Sequence, residues 1–213
     1  LVAGRIAAEG GEHPDDVASA LLTRTCVVLV PLALVVALTA PRISRALLGD
    51  VGVDGAVDLG TRLLVVFSPQ IVLYGLGIVV SGVLQAHRRF VAAALAPLLS
   101  SLVVIATYIA WALTVPAGTE PGDVTTREWL LLGGGTTLGV VALSVPLLVV
   151  AAAADIRLRP RWRLAPETAA RARSLAGAGV LALIAQQVTV LVTLAVANRS
   201  GGDGALVVQN YVQ

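Results

Sequence analysis

The sequence predicts an all-α protein, a polytopic bundle of transmembrane helices. Three observations predict it. Apolar residues make up 57% of the chain and charged ones only 13%, against roughly 45–50% and 25% in soluble domains. The mean hydropathy is +0.88 and comes from long runs of Leu, Val and Ala. Five stretches are long enough to cross about 30 Å of hydrocarbon, which takes about 20 apolar residues in a helix, and none carries Asp, Glu, Lys, Arg or His in its core. A soluble fold of this composition has nowhere to put a polar surface, so lipid is the expected solvent. Backbone groups in lipid must pair internally, which makes each stretch a helix.

The first span covers Thr23–Ala40, extended backwards by Val17, Ala18, Leu21 and Leu22, and Asp15 and Asp16 after Pro14 suit a helix start there. The stretch Ile43–Thr61 is polar with spaced apolar residues and is expected to lie as a short helix on the membrane surface. The second span, Leu63–Ala86, is interrupted by Pro69 and Gln70 and carries Gly75, Gly77 and Gly82. The third, Phe90–Val115, contains Ser100, Ser101, Thr107 and Tyr108. Pro116–Arg127 is rich in Pro, Gly, Thr and acids and reads as an exposed loop. The fourth span, Trp129–Ala154, contains Gly133-Gly134-Gly135 and Gly139, a spacing that lets helices approach closely. Ile156–Arg173 is a basic connection in which Trp162 is placed to anchor at headgroup level, with anionic lipids as its expected neighbours. The fifth span, Ser174–Ala197, follows. Leu1–Ala3 resembles the tail of a preceding helix and Gly204–Gln213 the start of another, and with no Met in the chain a longer parent protein is expected.

All fifteen basic residues are Arg, and their placement gives an orientation. With the first connection in the cytoplasm, ten arginines lie inside and five outside, where acids outnumber them. That arrangement satisfies the excess of positive charge in cytoplasmic loops, and the reverse topology inverts it.

Few residues point to covalent chemistry. Without Lys there is no Gly-rich phosphate loop ending in Lys. His13 and His87 stand apart without ligand-spaced partners, and Cys26 is alone in an apolar run, where a small buried hydrophobe is the ordinary reading. No catalytic residue, metal, cofactor or nucleic-acid partner is expected. Polar residues within spans are ordinarily interhelical hydrogen bonds. The fifth span is more suggestive, because Gln186, Thr189 and Thr193 fall at i, i+3 and i+7 on one helix face. A polar stripe facing a bundle interior fits a transport path.

Several segments also resemble a known family. Ser68-Pro69, then Val83-Leu84-Gln85-Ala86-His87-Arg88-Arg89-Phe90, then Ala94-Leu95-Ala96-Pro97-Leu98-Leu99-Ser100-Ser101 are similar to the MurJ/MviN lipid II flippases, with Gln85 and Ser101 where Asn is usual. Pro31-Leu32 and Ala40-Pro41 resemble that family's third helix, Ala185-Gln186-Gln187 through Ala197-Asn198 its seventh, and Gln209-Asn210-Tyr211 its early eighth. The resemblance covers essentially the whole chain. It implies part of a MATE-like transporter fold of about fourteen helices, with residues 1–173 forming most of the N-terminal lobe and 174–213 the start of the C-terminal lobe. It further implies a multi-pass protein of the bacterial cytoplasmic membrane that flips undecaprenyl-diphosphate-linked disaccharide-pentapeptide by rocking of two lobes, supporting peptidoglycan synthesis and cell shape. Lipid II, membrane lipids and cell-wall synthesis proteins are the implied partners. The family's basic position on helix eight aligns with the uncharged Gln213, and its acidic or amide position on helix seven with Thr193. Gln186, Thr189, Thr193 and Gln213 are therefore the substrate-cavity candidates, and Arg88 and Arg89 the candidate cytoplasmic anchor. Competing readings are another polysaccharide-lipid or multidrug exporter of the same superfamily, a non-transporting scaffold for cell-wall synthesis, and an integral-membrane transferase, against which the lack of clustered acids counts.

Overall fold

The computed structural model describes residues 14–49, 52–154, 156, 158–162 and 165–200. They form five helices: α1 (Pro14–Leu48), α2 (Ala56–Ala86), α3 (Phe90–Thr114), α4 (Thr126–Ala153) and α5 (Pro166–Ser200). All five are long and apolar enough to cross a membrane. At 1.5 Å per residue, α1 and α5, with 35 residues each, are about 52 Å long and outreach the hydrocarbon core. The chain divides into two compact units, one running to Leu164 and the other from Ala165. The lobe boundary anticipated between residues 173 and 174 falls inside α5.

The ends follow local chemistry. α1 begins at Pro14 with Asp15 and Asp16 in its first turn, where carboxylates face the positive end of the helix dipole. α4 begins after Thr125, whose N–H donates to Glu128 Oε2 at 2.7 Å. α2 closes on a Schellman-type turn: Arg89 N–H donates to Leu84 O at 2.8 Å and Arg88 N–H to Gln85 O at 3.1 Å. Arg88 adopts φ 60°, the left-handed position usually given to Gly.

One expectation is corrected. Ile43–Thr61 does not form a separate surface helix. α1 runs through Pro41 to Leu48, and α2 starts at Ala56, so two longer helices absorb most of the stretch. Spaced apolar residues mark an amphipathic segment, but continuing an existing helix avoids the cost of starting a new one.

Within the first unit, α2 is the hub and packs on α1, α3 and α4. α1 and α2 are antiparallel, as Gly60 lies by Leu48 and Ser44 while Gly75 lies by Leu29 and Thr25. α3 and α4 are also antiparallel, with Gly135 on Thr107 and Gly139 on Val104. α2 and α4 run parallel: Gly133 meets Leu63 and Val66, and Gly77 meets Leu143 and Ser144. Glycines thus mark every one of these contacts, because backbones in lipid associate by close approach rather than by a hydrophobic drive.

The best-buried apolar cluster gathers Ala18, Val80, Val83, Leu84, Ala96, Leu147, Ala151 and Ile156 at the end where α1 and α3 begin and α2 and α4 finish. Elsewhere many large side chains face outward, and Ile78 and Val91 are each 72% exposed. In water such exposure over this length would aggregate the protein; in lipid it is the ordinary outer surface.

Candidate functional site

Three polar arrangements stand out, and they differ in how far the sequence announces them. The first is the stripe on α5. Gln186 and Thr189 sit one helical turn apart and are exposed within the second unit. Thr189 Oγ1 donates back to Ala185 O at 2.9 Å, which satisfies the hydroxyl proton. Thr193 continues the helix, but its side chain lies outside the described ones, and Gln213 lies outside the described residues altogether. Of the four cavity candidates, then, Gln186 and Thr189 are placed together on one face.

The second is a polar ladder between α2 and α4. Pro69 has no N–H, which leaves Val65 O without its helical donor; Ser68 Oγ donates to that carbonyl at 2.8 Å. One residue on, Gln70 Nε2 donates to Thr137 Oγ1 at 2.7 Å, and Thr137 Oγ1 in turn donates to Gly133 O at 2.7 Å. Two turns along α4, Ser144 Oγ donates to Leu73 O at 2.8 Å. Gly133, Thr137, Val140, Ser144, Leu147 and Ala151 recur at spacings of four and three, so the polar pairs share the stripe that α4 turns to its neighbours. The sequence reading singled out Pro69 and Gln70 but missed Thr137 and Ser144. The signal was the four-three spacing of small and hydroxyl residues from Gly133 onward. These groups are paired with one another and hold two helices in register.

The third lies at the arginine-rich end. After α4, Ile156 is buried and Leu158 packs on the core cluster, and the described residues that follow reach the first turns of α1. Arg159 N–H donates to Ser19 Oγ and Arg161 N–H to Thr23 Oγ1, both at 3.0 Å. The Arg161 guanidinium pairs with Asp16, and Arg24 Nη2 donates to Trp162 O at 3.4 Å. Pro160, which has no N–H to donate, stands between the two donors. Close by, His87 Nδ1 donates to Val83 O at 2.9 Å, and its Nε2 lies 3.4 Å from Asp15 Oδ1. Arg88 and Arg89 are exposed on the turn that follows. No line of the sequence reading anticipated this strap, since Ser19 and Thr23 look like ordinary helix residues.

Five apolar helices, glycine-packed faces and polar groups paired inside the spans define an integral, multi-pass membrane protein of helical-bundle type. Comparison with known families narrows the class. The family model described as lipid II flippase MurJ matches residues 7–211, and the chain belongs to that family. No solved structure is similar enough to the chain to count as a match. The function is lipid II flipping, a transport step, and lipid II is the substrate that the family implies.

Proposed function

We propose that α1–α4 form most of the N-terminal lobe of this flippase and α5 the start of the C-terminal lobe, working by alternating access in the bacterial cytoplasmic membrane. The arginine-rich end faces the cytoplasm in this reading, which the ten-to-five division of arginines supports. Lipid II carries a diphosphate and a large polar headgroup, and neither crosses hydrocarbon unaided. A path through the protein has to offer hydrogen-bonding groups that water or headgroup contacts, while the polyprenyl tail stays in lipid. The cell-wall synthesis proteins that make and use lipid II are then its neighbours on the two sides.

The observation that carries the site assignment is that Gln186 and Thr189 share one face of an otherwise apolar stretch of α5. Polar side chains on one face of a membrane-spanning helix suit a bundle interior or a cavity wall better than lipid. Gln186, Thr189 and Thr193 are assigned to that wall, and Gln213 further along it. The test is the triple variant Gln186→Leu/Thr189→Val/Thr193→Val in the full-length protein. With membrane insertion unchanged, flipping should slow by about tenfold, the scale of two or three modest hydrogen bonds. Full flipping by the triple variant removes the assignment. Orientation is tested separately in a Cys26→Ala background: a cysteine replacing Ala117 should label from outside the cell and one replacing Pro166 should not.

A further inference from the structure

At the end opposite the strap, the last turns of α1 and the first turns of α2 border an open cavity of about 560 Å³. Pro41 and Arg45 come from α1, Val57 and Asp58 from α2, and Val53 and Asp54 from the connection between them. The volume falls within the usual range for small-ligand sites, about 300–1,000 Å³.

Its charges are not those of a self-neutralised surface. Asp58 is paired with Arg62 at 2.6 Å, so its carboxylate is largely spoken for. Arg45 and Asp54 both line the cavity, yet among the described residues neither makes an ion pair. One guanidinium and one carboxylate therefore share a pocket without meeting each other. A simple anion would bind Arg45 and be repelled by Asp54, and a simple cation would meet the reverse. A ligand carrying both charges, set a few bonds apart, satisfies both groups.

The backbone that carries Asp54 is held against a neighbouring loop. Gly55 holds φ 75° at the start of α2, and a Cβ there would sit 2.3 Å from Gly122 Cα. The connection is thus pressed against the Pro116–Arg127 loop, as the Asp54 carbonyl also lies close to Gly122. Val53, Val57 and Pro41 give the cavity an apolar side, and Val53 is exposed. A charged pocket with an apolar flank at the end of membrane-spanning helices sits where lipid headgroups meet acyl chains.

We propose that this cavity binds the zwitterionic headgroup of a phosphoethanolamine lipid, with the phosphate on Arg45, the primary ammonium on Asp54 and the acyl chains along Val53 and Val57. The proposal rests neither on the assignment of α5 nor on which side of the membrane the cavity faces. The amine matters because a primary ammonium donates hydrogen bonds to a carboxylate, whereas a quaternary one has no N–H to give.

The experiment uses the full-length protein in detergent, loaded with equal amounts of phosphatidylethanolamine, phosphatidylglycerol and phosphatidylcholine, with retained lipid read by native mass spectrometry. Phosphatidylethanolamine should be retained in preference to both others. Arg45→Ala and Asp54→Asn should each lower that retention by about fivefold, the scale of one charge at a membrane surface. Arg42→Ala, an exposed cation outside the cavity, should leave it unchanged. Equal retention of the three lipids, preference for phosphatidylglycerol, or an Asp54→Asn variant that keeps the ethanolamine preference would each overturn the proposal. Soluble O-phosphoethanolamine separates the two sources of this chemistry: stabilisation by it without retention of the lipid would assign the cavity to a soluble ligand and defeat the lipid assignment. Because both variants replace exposed side chains, misfolding is not expected, and an unchanged melting temperature in lipid-free detergent confirms it.

Discussion

Gly134 and Gly135 are neighbours on α4, yet they should respond to alanine in opposite ways. Alanine favours a helix over glycine by about 1 kcal/mol wherever nothing else changes. Around Gly134 nothing lies within 4 Å of a new Cβ, so this gain stands alone. At Gly135 the same Cβ would lie 2.3 Å from Thr107 Cγ2 and 2.4 Å from its Oγ1, well inside the 3.5–4.0 Å of ordinary carbon contacts. Thr107 is buried and cannot easily yield: its hydroxyl donates to Val103 O at 2.9 Å, and a β-branched side chain on a helix has few alternative rotamers. The two helices must therefore separate, losing the contact of Gly139 with Val104 as well. Overpacking of this kind costs about 1–3 kcal/mol, and since the propensity gain is common to both variants, that range is also the expected difference between them. Unfolding of the full-length flippase by SDS titration from mild detergent measures it. Thr107→Ala in the Gly135→Ala background should recover part of the loss, giving a coupling of about 1 kcal/mol in a double-mutant cycle. Equal stability of the two glycine variants, or no coupling to Thr107, would refute the α3–α4 packing described above.

Two further outcomes follow from the arginine-rich end. Replacing both acceptors in Ser19→Ala/Thr23→Val removes two hydrogen bonds worth about 1 kcal/mol each, so amide exchange at Arg159 and Arg161 should accelerate by about tenfold or more; unchanged protection would mean that the strap is held by Ile156 and Leu158 alone. Arg88→Gly should raise stability by about 1 kcal/mol, because it relieves a left-handed backbone position; a loss instead would reveal a contact made by the arginine side chain.

Much of this architecture is legible in the chain as written. Where helices run through lipid follows from uncharged apolar length alone, which is a local property, and α2, α3 and α4 cover their anticipated spans. The start of α1 at Pro14-Asp15-Asp16 and the role of Gly135 and Gly139 in close approach are equally local. The polar stripe of Gln186 and Thr189 needed only the helical period.

Tertiary structure decided the rest. In water a helix advertises its buried face by hydrophobic residues, but in lipid both faces are apolar, so the sequence does not mark which one meets a neighbour. Only the packing shows that Gly133 turns to α2 while Gly135 turns to α3, that Gln70 finds Thr137, and that Ser144 finds Leu73. The same holds for Ser19 and Thr23, whose partners lie well over a hundred residues away in the chain. Ile43–Thr61 was misread for a related reason: amphipathic spacing is shared by a surface helix and by the ends of two long ones, and continuity with the spans on either side settles the choice.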